Sequence, residues 1–439
     1  MDKNEKINLA EWVKDKALKH GADQVTVNIN SSRSVEVSYR DKKIEKLQES
    51  TESGLSVSIY ADHKYSGHST SDLRKESLEK FIEEAVAGTK YLSADEFRKL
   101  PDPKYYPTAL DKNLDLTDNN YSKVDTAERV KMAKEIEEAA LKVSDKIISV
   151  NSGYYDSYYQ NVLLQSNGFV GESGGTYFVV DASVSVKDGD GKPEDSDWGS
   201  TRFFNEIPSR QEIGISAANR ALKKIGQKKV ATGKYDMIVE NRAASRLLSL
   251  FTSAMSARSI QQKSSYLDGM LDKPIASEKL TIIDDPFVQK GFGSKLYDSE
   301  GLAVKKRMLI EKGVLKTYLV DNYYGRKTGM EPNSGSLSNI LLEYGNSSLA
   351  DLVKKTKKGI LVNGFLGGNN NSTTGDFSFG IVGLLVENGE IVQAVNEMNL
   401  SGNSKDFWKQ LSEIGNDPNK YSSVKMPSLL FEGVAFSGS

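Results

Sequence analysis

Gln24-Val25-Thr26-Val27-Asn28-Ile29 places an apolar residue at every second position, the period of a half-buried β-strand. Val35, Val37 and Tyr39 repeat the pattern, and Leu55, Val57 and Ile59 supply a third strand with its turn over 61–67. The flanks change period: apolar spacing predicts helices from Leu9 to His20 and from Leu73 to Leu92. Strands bracketed by helices make an α+β unit, which we assign to residues 1–100. Leu100-Pro101-Asp102-Pro103-Lys104-Tyr105-Tyr106-Pro107 then carries three prolines in eight residues and cannot continue a helix, so 101–125 is expected to be a linker.

Beyond it, Thr126 to Val143 is helical and laced with charge, and strands are expected near Ile147 to Tyr154, Asn161 to Gln165 and Tyr177 to Val186. Lys187 to Gly199 reads as an acidic, Gly-rich loop, Glu212 to Ile225 as a helix and Asp236 to Val239 as a strand. Short glycine-containing connections at Glu311-Lys312-Gly313 and Glu387 to Glu390 predict hairpins. The expected architecture is α+β, in three parts. The N-terminal domain leads to a middle α+β region over 126–230, which continues into a β-rich C-terminal domain over 231–439 with mixed or antiparallel sheets.

Composition removes several function classes. In 439 residues, Lys+Arg 58 nearly cancels Asp+Glu 60, so the basic stripe of a nucleic-acid binder is not expected. No apolar run approaches the 18 or so residues of a membrane span; Ile381 to Val386 is closed by Glu387 and Asn388. The N-terminal segment alternates charge with Ile7, Leu9, Trp12, Val13 and Ala17, unlike an export signal. The absence of cysteine eliminates disulfides, thiolate zinc sites and cysteine nucleophiles together, and fits a reducing compartment.

Familiar catalytic patterns are also missing. His20, His63 and His68 are the only histidines, and none stands in the H-E-x-x-H spacing that puts two imidazoles and a base on one helical face. His63 and His68, with Asp62 and Asp72, read as a hairpin tip and its following strand. Asp188-Gly189-Asp190-Gly191 resembles a calcium loop, but Lys192 replaces the third oxygen ligand. The glycine-rich run from Gly364 to Gly375 lacks the G-K-[ST] ending of a phosphate cradle and is expected to be a flexible loop before a strand. No G-x-S-x-G elbow occurs; Ser77-Leu78-Glu79-Lys80 reads as a solvated helical face, and Asp284-Asp285 as a solvated turn.

Several segments in shared order resemble the TldD/PmbA family, on its PmbA (TldE) branch. They are Ala217-Ala218-Asn219-Arg220-Ala221-Leu222, Thr232 to Val239, Tyr297-Asp298-Ser299-Glu300-Gly301, Leu309 to Leu315, Thr374-Gly375-Asp376-Phe377-Ser378, Val386 to Glu390, Gly402-Asn403 and Pro427 to Leu430. The resemblance implies a two-component zinc protease of the cytoplasm that acts on unfolded or peptide substrates. It also brings the family's link to peptide maturation and its older naming as a modulator of DNA gyrase. TldD-like members carry H-E-x-x-x-H and a later cysteine; this chain has Asn241 to Leu250 at about the place of that motif, with no imidazole.

No catalytic or metal-ligating residue therefore carries over. The resemblance implies a non-catalytic subunit with no cofactor of its own, zinc being held by a TldD-like partner. Expected partners are that protease subunit and an unfolded polypeptide or peptide, with a homodimer in the partner's absence. Two alternatives stay open: a stand-alone peptide-binding or gyrase-associated protein, and a metallopeptidase whose metal is held by Asp376, Glu300 or Glu390. The segment Thr374, Gly375, Asp376, Phe377 and Ser378 is the candidate border of a substrate channel, on the expectation that it offers a strand edge to an extended peptide.

Overall fold

A computed structural model describes residues 1–438. The first helix, α1 (Lys3–Lys19), starts from a capping box between Asp2 and Glu5. Three strands follow, β1 (Gln24–Arg40), β2 (Lys43–Ala61) and β3 (Lys64–Thr70), then α2 (Lys75–Thr89). The next elements are α3 (Thr126–Leu141), β4 (Ile147–Gln165), β5 (Val170–Val186), β6 (Glu194–Thr201) and α4 (Arg210–Leu222). All six strands form one antiparallel sheet in the order β3-β2-β1-β4-β5-β6.

The strands are longer than periodicity suggested, and the reason is physical. Val25, Val27 and Ile29 at the start of β1 pack under α1 and α2, whereas Val37 and Tyr39 at its end pack under α3. The polar stretch between them bridges two hydrophobic cores and is no turn. β4 behaves alike, with Val150 and Tyr154 in one core and Val162 and Leu164 in the other. Thus the expected strand pairs 25–29/35–39 and 147–154/161–165 are each a single strand. The sheet runs through from the first hundred residues into the middle region, on either side of the 101–125 segment. Residues 187–193 form a loop, but Glu194 to Thr201 is β6, a correction to the longer loop expected.

Within the second core, Gly214 lets α4 touch α3: a Cβ there would stand 2.4 Å from the Ile136 carbonyl oxygen. Arg129 and Asp156 are buried beneath this layer. Asp156 accepts from Arg129 Nε (2.6 Å), Tyr121 Oη (2.8 Å) and Tyr154 Oη (2.7 Å), so its charge is matched and hydrogen-bonded.

The C-terminal half contains β7 (Gly233–Val239), α5 (Asn241–Thr252), α6 (Ala257–Gln261), β8 (Ile282–Asp285), β9 (Arg307–Glu311) and β10 (Val314–Leu315). It continues with α7 (Asn322–Thr328), β11 (Asn339–Leu342), α8 (Leu349–Lys355), β12 (Lys358–Asn370), β13 (Asp376–Glu387) and β14 (Glu390–Asn403). The last elements are α9 (Ser404–Phe407), β15 (Leu411–Ile414), β16 (Val424–Lys425) and β17 (Leu429–Ser437). Two mixed sheets result, β10-β9-β8-β11-β16 and β14-β13-β12-β7-β17-β15; a further pairing of Leu400 with Phe436 curls the second back on itself.

Both expected hairpins are present. Asn388 and Gly389 hold φ of 52° and 83°, the left-handed pair that a two-residue connection requires. A ring cluster of Phe251, Phe377, Phe407, Trp408 and Phe431 fills the core, with Phe407 and Phe431 stacked at 4.5 Å. Each buried phenylalanine contributes about 1.5–3 kcal/mol of hydrophobic stabilisation. Asp284 corrects the solvated-turn expectation: it is 2% exposed, accepts from Arg307 Nε (3.0 Å) and caps the Ser338 amide (2.8 Å). Among the described residues no helix is long and apolar enough to cross a membrane.

Candidate functional site

β7 ends at Val239 and the chain turns at once into α5. Ala244, Leu247, Leu248 and Phe251 recur at helical spacing and are buried, Phe251 stacking on Trp408 at 4.6 Å. Of the polar side chains that remain, the two cations both have partners. Arg242 pairs with Asp197, donates to the Trp198 carbonyl at 2.8 Å and lies over the Trp198 ring; Arg246 lies over the Phe379 ring, 5.0 Å from its centre. Glu240, one residue before the helix, receives Arg220 through two hydrogen bonds of 2.6 and 3.1 Å. Burial opposes the Arg220 charge, but the Glu240 bonds and the nearby Asp195 and Asp197 outweigh it and hold the guanidinium more firmly protonated than usual.

No residue of α5 offers an imidazole, thiolate or carboxylate, so this helix does not fit zinc. The histidines lie elsewhere. His20 ends α1, His63 stands in the β2–β3 turn, and His68 on β3 is bonded to Ser66 at 2.7 Å.

The candidate channel segment lies next to α5. Asn370 Nδ2 donates to the Ser249 carbonyl at 3.1 Å, and the Arg246–Phe379 contact adds a second tie. The glycine-rich run is mostly strand, since β12 continues to Asn370 through bulges near Gly364 and Gly367; only 371–375 is turn. Gly375 has φ of +90°, which few other residues adopt. Asp376 accepts from Thr374 Oγ1 (2.6 Å) and Asn403 Nδ2 (2.8 Å), and these bonds hold its carboxyl below the usual carboxylate range. Phe377 points into the ring cluster against Phe407, while Thr374, Asp376 and Ser378 are exposed. The expected strand edge is not there: β13 is bonded to β12 on one side and β14 on the other, so a peptide cannot add to it.

Nor do the three carboxylates considered as metal ligands converge. Asp376 begins β13, whereas Glu390 opens β14 opposite Glu387 at the far end of that hairpin, roughly 35 Å away at the strand rise. Glu300 sits in a third place, accepting from the Asn322 amide at 2.8 Å, and burial raises its carboxyl to about 7.

What sequence reasoning missed is the second face of the N-terminal sheet. From Val150 to Leu164 the even-numbered residues of β4 face the helices, whereas Ser157, Tyr159, Asn161 and Leu163 face the C-terminal half. Two cavities lie along that row. One, of about 690 Å³, is walled by Leu110 to Thr117 of the 101–125 segment and by Lys295 to Ser299. The other, of about 470 Å³, lies between Tyr159, Tyr177, Trp198, Phe292 and Tyr421, with Arg202 in its wall. Tyr159 borders both, and Trp198 connects the second to Arg242 of α5. The odd positions of β4 mix Ser, Tyr, Asn and Leu, so alternation alone gave no sign of a cavity.

Comparison with known proteins covers nearly the whole chain. Family profiles of the PmbA/TldA metallopeptidase match as domain 1 over residues 25–88, as central domain over 119–225 and as C-terminal domain over 232–438. The metalloprotease PmbA homolog of Buchnera aphidicola subsp. Baizongia pistaciae is 30% identical, with 84% of this chain and 83% of that protein covered. Metalloprotease PmbA of Escherichia coli O157:H7 is 26% identical over 95% of this chain and 93% of its own. The crystal structure of a candidate DNA-gyrase modulator from Bacteroides thetaiotaomicron superposes with a TM-score of 0.97 at 41% identity, with both chains fully covered. TldE from Thermococcus kodakarensis shares the fold, with a TM-score of 0.86 at 20% identity, over 98% of this chain and all of its own. With profile matches running in order from residue 25 to 438 and a full-length structural relative at 41% identity, the chain belongs to the PmbA/TldD family, on its PmbA-like branch.

Proposed function

We propose that this chain is a non-catalytic subunit that pairs with a TldD-like zinc protease and helps bind unfolded polypeptide or peptide for cleavage. The observation that carries the reading is α5. The helix is intact and well packed, yet its polar side chains are Asn, Ser, Thr and two arginines engaged by Asp197, Trp198 and Phe379, with no imidazole, thiolate or carboxylate for zinc. The partner would supply zinc and the hydrolytic water, and this chain would hold substrate.

The Ser, Tyr and Asn row of β4 suits that task. Tyrosine gives contact area at low entropic cost and the small polar residues give adaptable hydrogen bonds. The exposed side chains of Thr374, Asp376 and Ser378 border the same channel in this reading and touch substrate without adding it to the sheet.

The reading is tested by reconstitution. Unfolded casein should stay intact with this chain alone and be cut, in a chelator-sensitive manner, once a TldD-like partner is added. Chelator-sensitive cleavage by this chain alone, persisting through further purification, would overturn it.

A further inference from the structure

We infer that the 470 Å³ aromatic cavity takes the C-terminal residue of a peptide, with the free carboxylate facing Arg202 and Tyr159. The inference rests on the polypeptide-binding reading above and adds which part of the polypeptide is recognised.

Arg202 is 4% exposed, and among the described residues no carboxylate lies within ion-pair distance of it. The acidic residues nearest in sequence are engaged elsewhere, Glu206 by Lys290 and Asp197 by Arg242. The Arg202 Nη atoms donate only to neutral oxygens: the carbonyls of Thr176 (3.1 Å), Gly291 (3.4 Å) and Phe292 (3.0 Å), and Tyr159 Oη (3.4 Å). Its Nε has no acceptor. A buried guanidinium is usually matched by an anion, because its desolvation is costly otherwise.

Tyr159 carries that charge into the cavity. Its oxygen accepts from Arg202, which leaves its own O–H free to donate, and among the described residues no protein acceptor takes it. The remaining walls are the rings of Tyr177, Trp198, Phe292 and Tyr421, suited to an apolar side chain, with the small side chains of Ser157, Ser422 and Ser423 between them. A carboxylate beside an apolar group, at the end of a chain that leaves through the neighbouring cavity past Tyr159, matches the C-terminus of a peptide. Phosphate would match the charge but leave the aromatic walls unused.

The test titrates the full chain with acetyl-Ala-Gly-Ser-Ala-Phe as the free acid and as the C-terminal amide, followed by Trp fluorescence and calorimetry. The free acid should bind about tenfold more tightly, the worth of one charge-assisted hydrogen bond. Tyr159→Phe, which keeps the ring, should shrink that preference to about threefold or less and leave the amide unchanged. Arg202 is avoided as the first variant because it also ties three carbonyls. Equal binding of acid and amide would overturn the inference while leaving the polypeptide reading intact; no binding of either would remove both. An amidated peptide ending in Glu that binds as well as the free acid would reassign the cavity to acidic side chains and also overturn it.

Discussion

Asn403 holds Asp376. One side-chain amide at the end of β14 donates to the Asp376 carboxylate at 2.8 Å and to the Thr374 carbonyl at 3.0 Å, so a single residue fixes the exit of the β12–β13 turn on both sides of Gly375. The turn beside α5 is thereby a built loop. Gly375→Val should cost at least about 1 kcal/mol, because the left-handed backbone is strained with a branched side chain. Asp376→Ala should loosen the turn with a smaller loss. If the segment borders the channel, both variants lower peptide cleavage by the reconstituted complex; unchanged turnover and peptide affinity in both would place it outside. The Asp376 carboxyl is depressed, so its stabilisation is present above the ordinary carboxylate range and lost as pH falls through its lower folded value.

Glu300 has the opposite sign. Burial raises its carboxyl to about 7, helped by Asp298 and Asp321 and opposed by the Asn322 amide and Arg98. The folded state then binds the proton more tightly than the unfolded one, so this group lowers stability as pH rises from about 4 to about 7. Glu300→Gln keeps an oxygen for the Asn322 amide and removes the charge. The variant should gain on the order of 2–3 kcal/mol relative to the parent at pH 8 and little at pH 4. Urea titrations at the two pH values measure the gap; a constant gap would refute the assignment.

The Arg129–Asp156 pair sits at the centre of the second core with two tyrosine hydroxyls on the same carboxylate. Asp156→Ala strands a buried guanidinium and should cost about 3–5 kcal/mol. Chemical denaturation provides the check, and a loss below about 1 kcal/mol would mean that water replaces the missing carboxylate.

Metal content gives a direct test of α5. With no imidazole, thiolate or carboxylate on that helix, the purified chain should retain no stoichiometric zinc after mild dialysis. Elemental analysis that finds about one zinc per chain would contradict the non-catalytic reading.

The helices were legible because α1, α2, α3 and α4 each bury one stripe against a sheet and so keep the helical period in the sequence. The long strands were not, because β1 and β4 cross from one helical layer to another and turn polar in between, where no helix covers them. Asn30 to Ser34 contains neither Gly nor Pro, and that was the available sign of an unbroken strand. Asp284 looked like a turn residue because its partner Arg307 lies 23 positions away. The cavity around Arg202 was invisible for the same reason: Tyr159, Tyr177, Trp198, Phe292 and Tyr421 meet only when the two halves of the chain close on each other.

The unbroken sheet also separates inheritance from folding. The family's first and central domains are recognised as distinct stretches of sequence, but β1 pairs with β4 from Thr26 to Arg40, and the two cores share those strands. A fragment ending near residue 100 would keep α1 and α2 yet expose the entire β1 edge, together with the undersides of Val37 and Tyr39. Such a piece would aggregate or seek another strand, whereas a cut near residue 228, between α4 and β7, leaves every strand of that sheet with its neighbour. Residues 1–228 are thus the smallest portion that keeps the whole of this sheet together with both of its helical layers, and its other face still relies on the C-terminal half for cover.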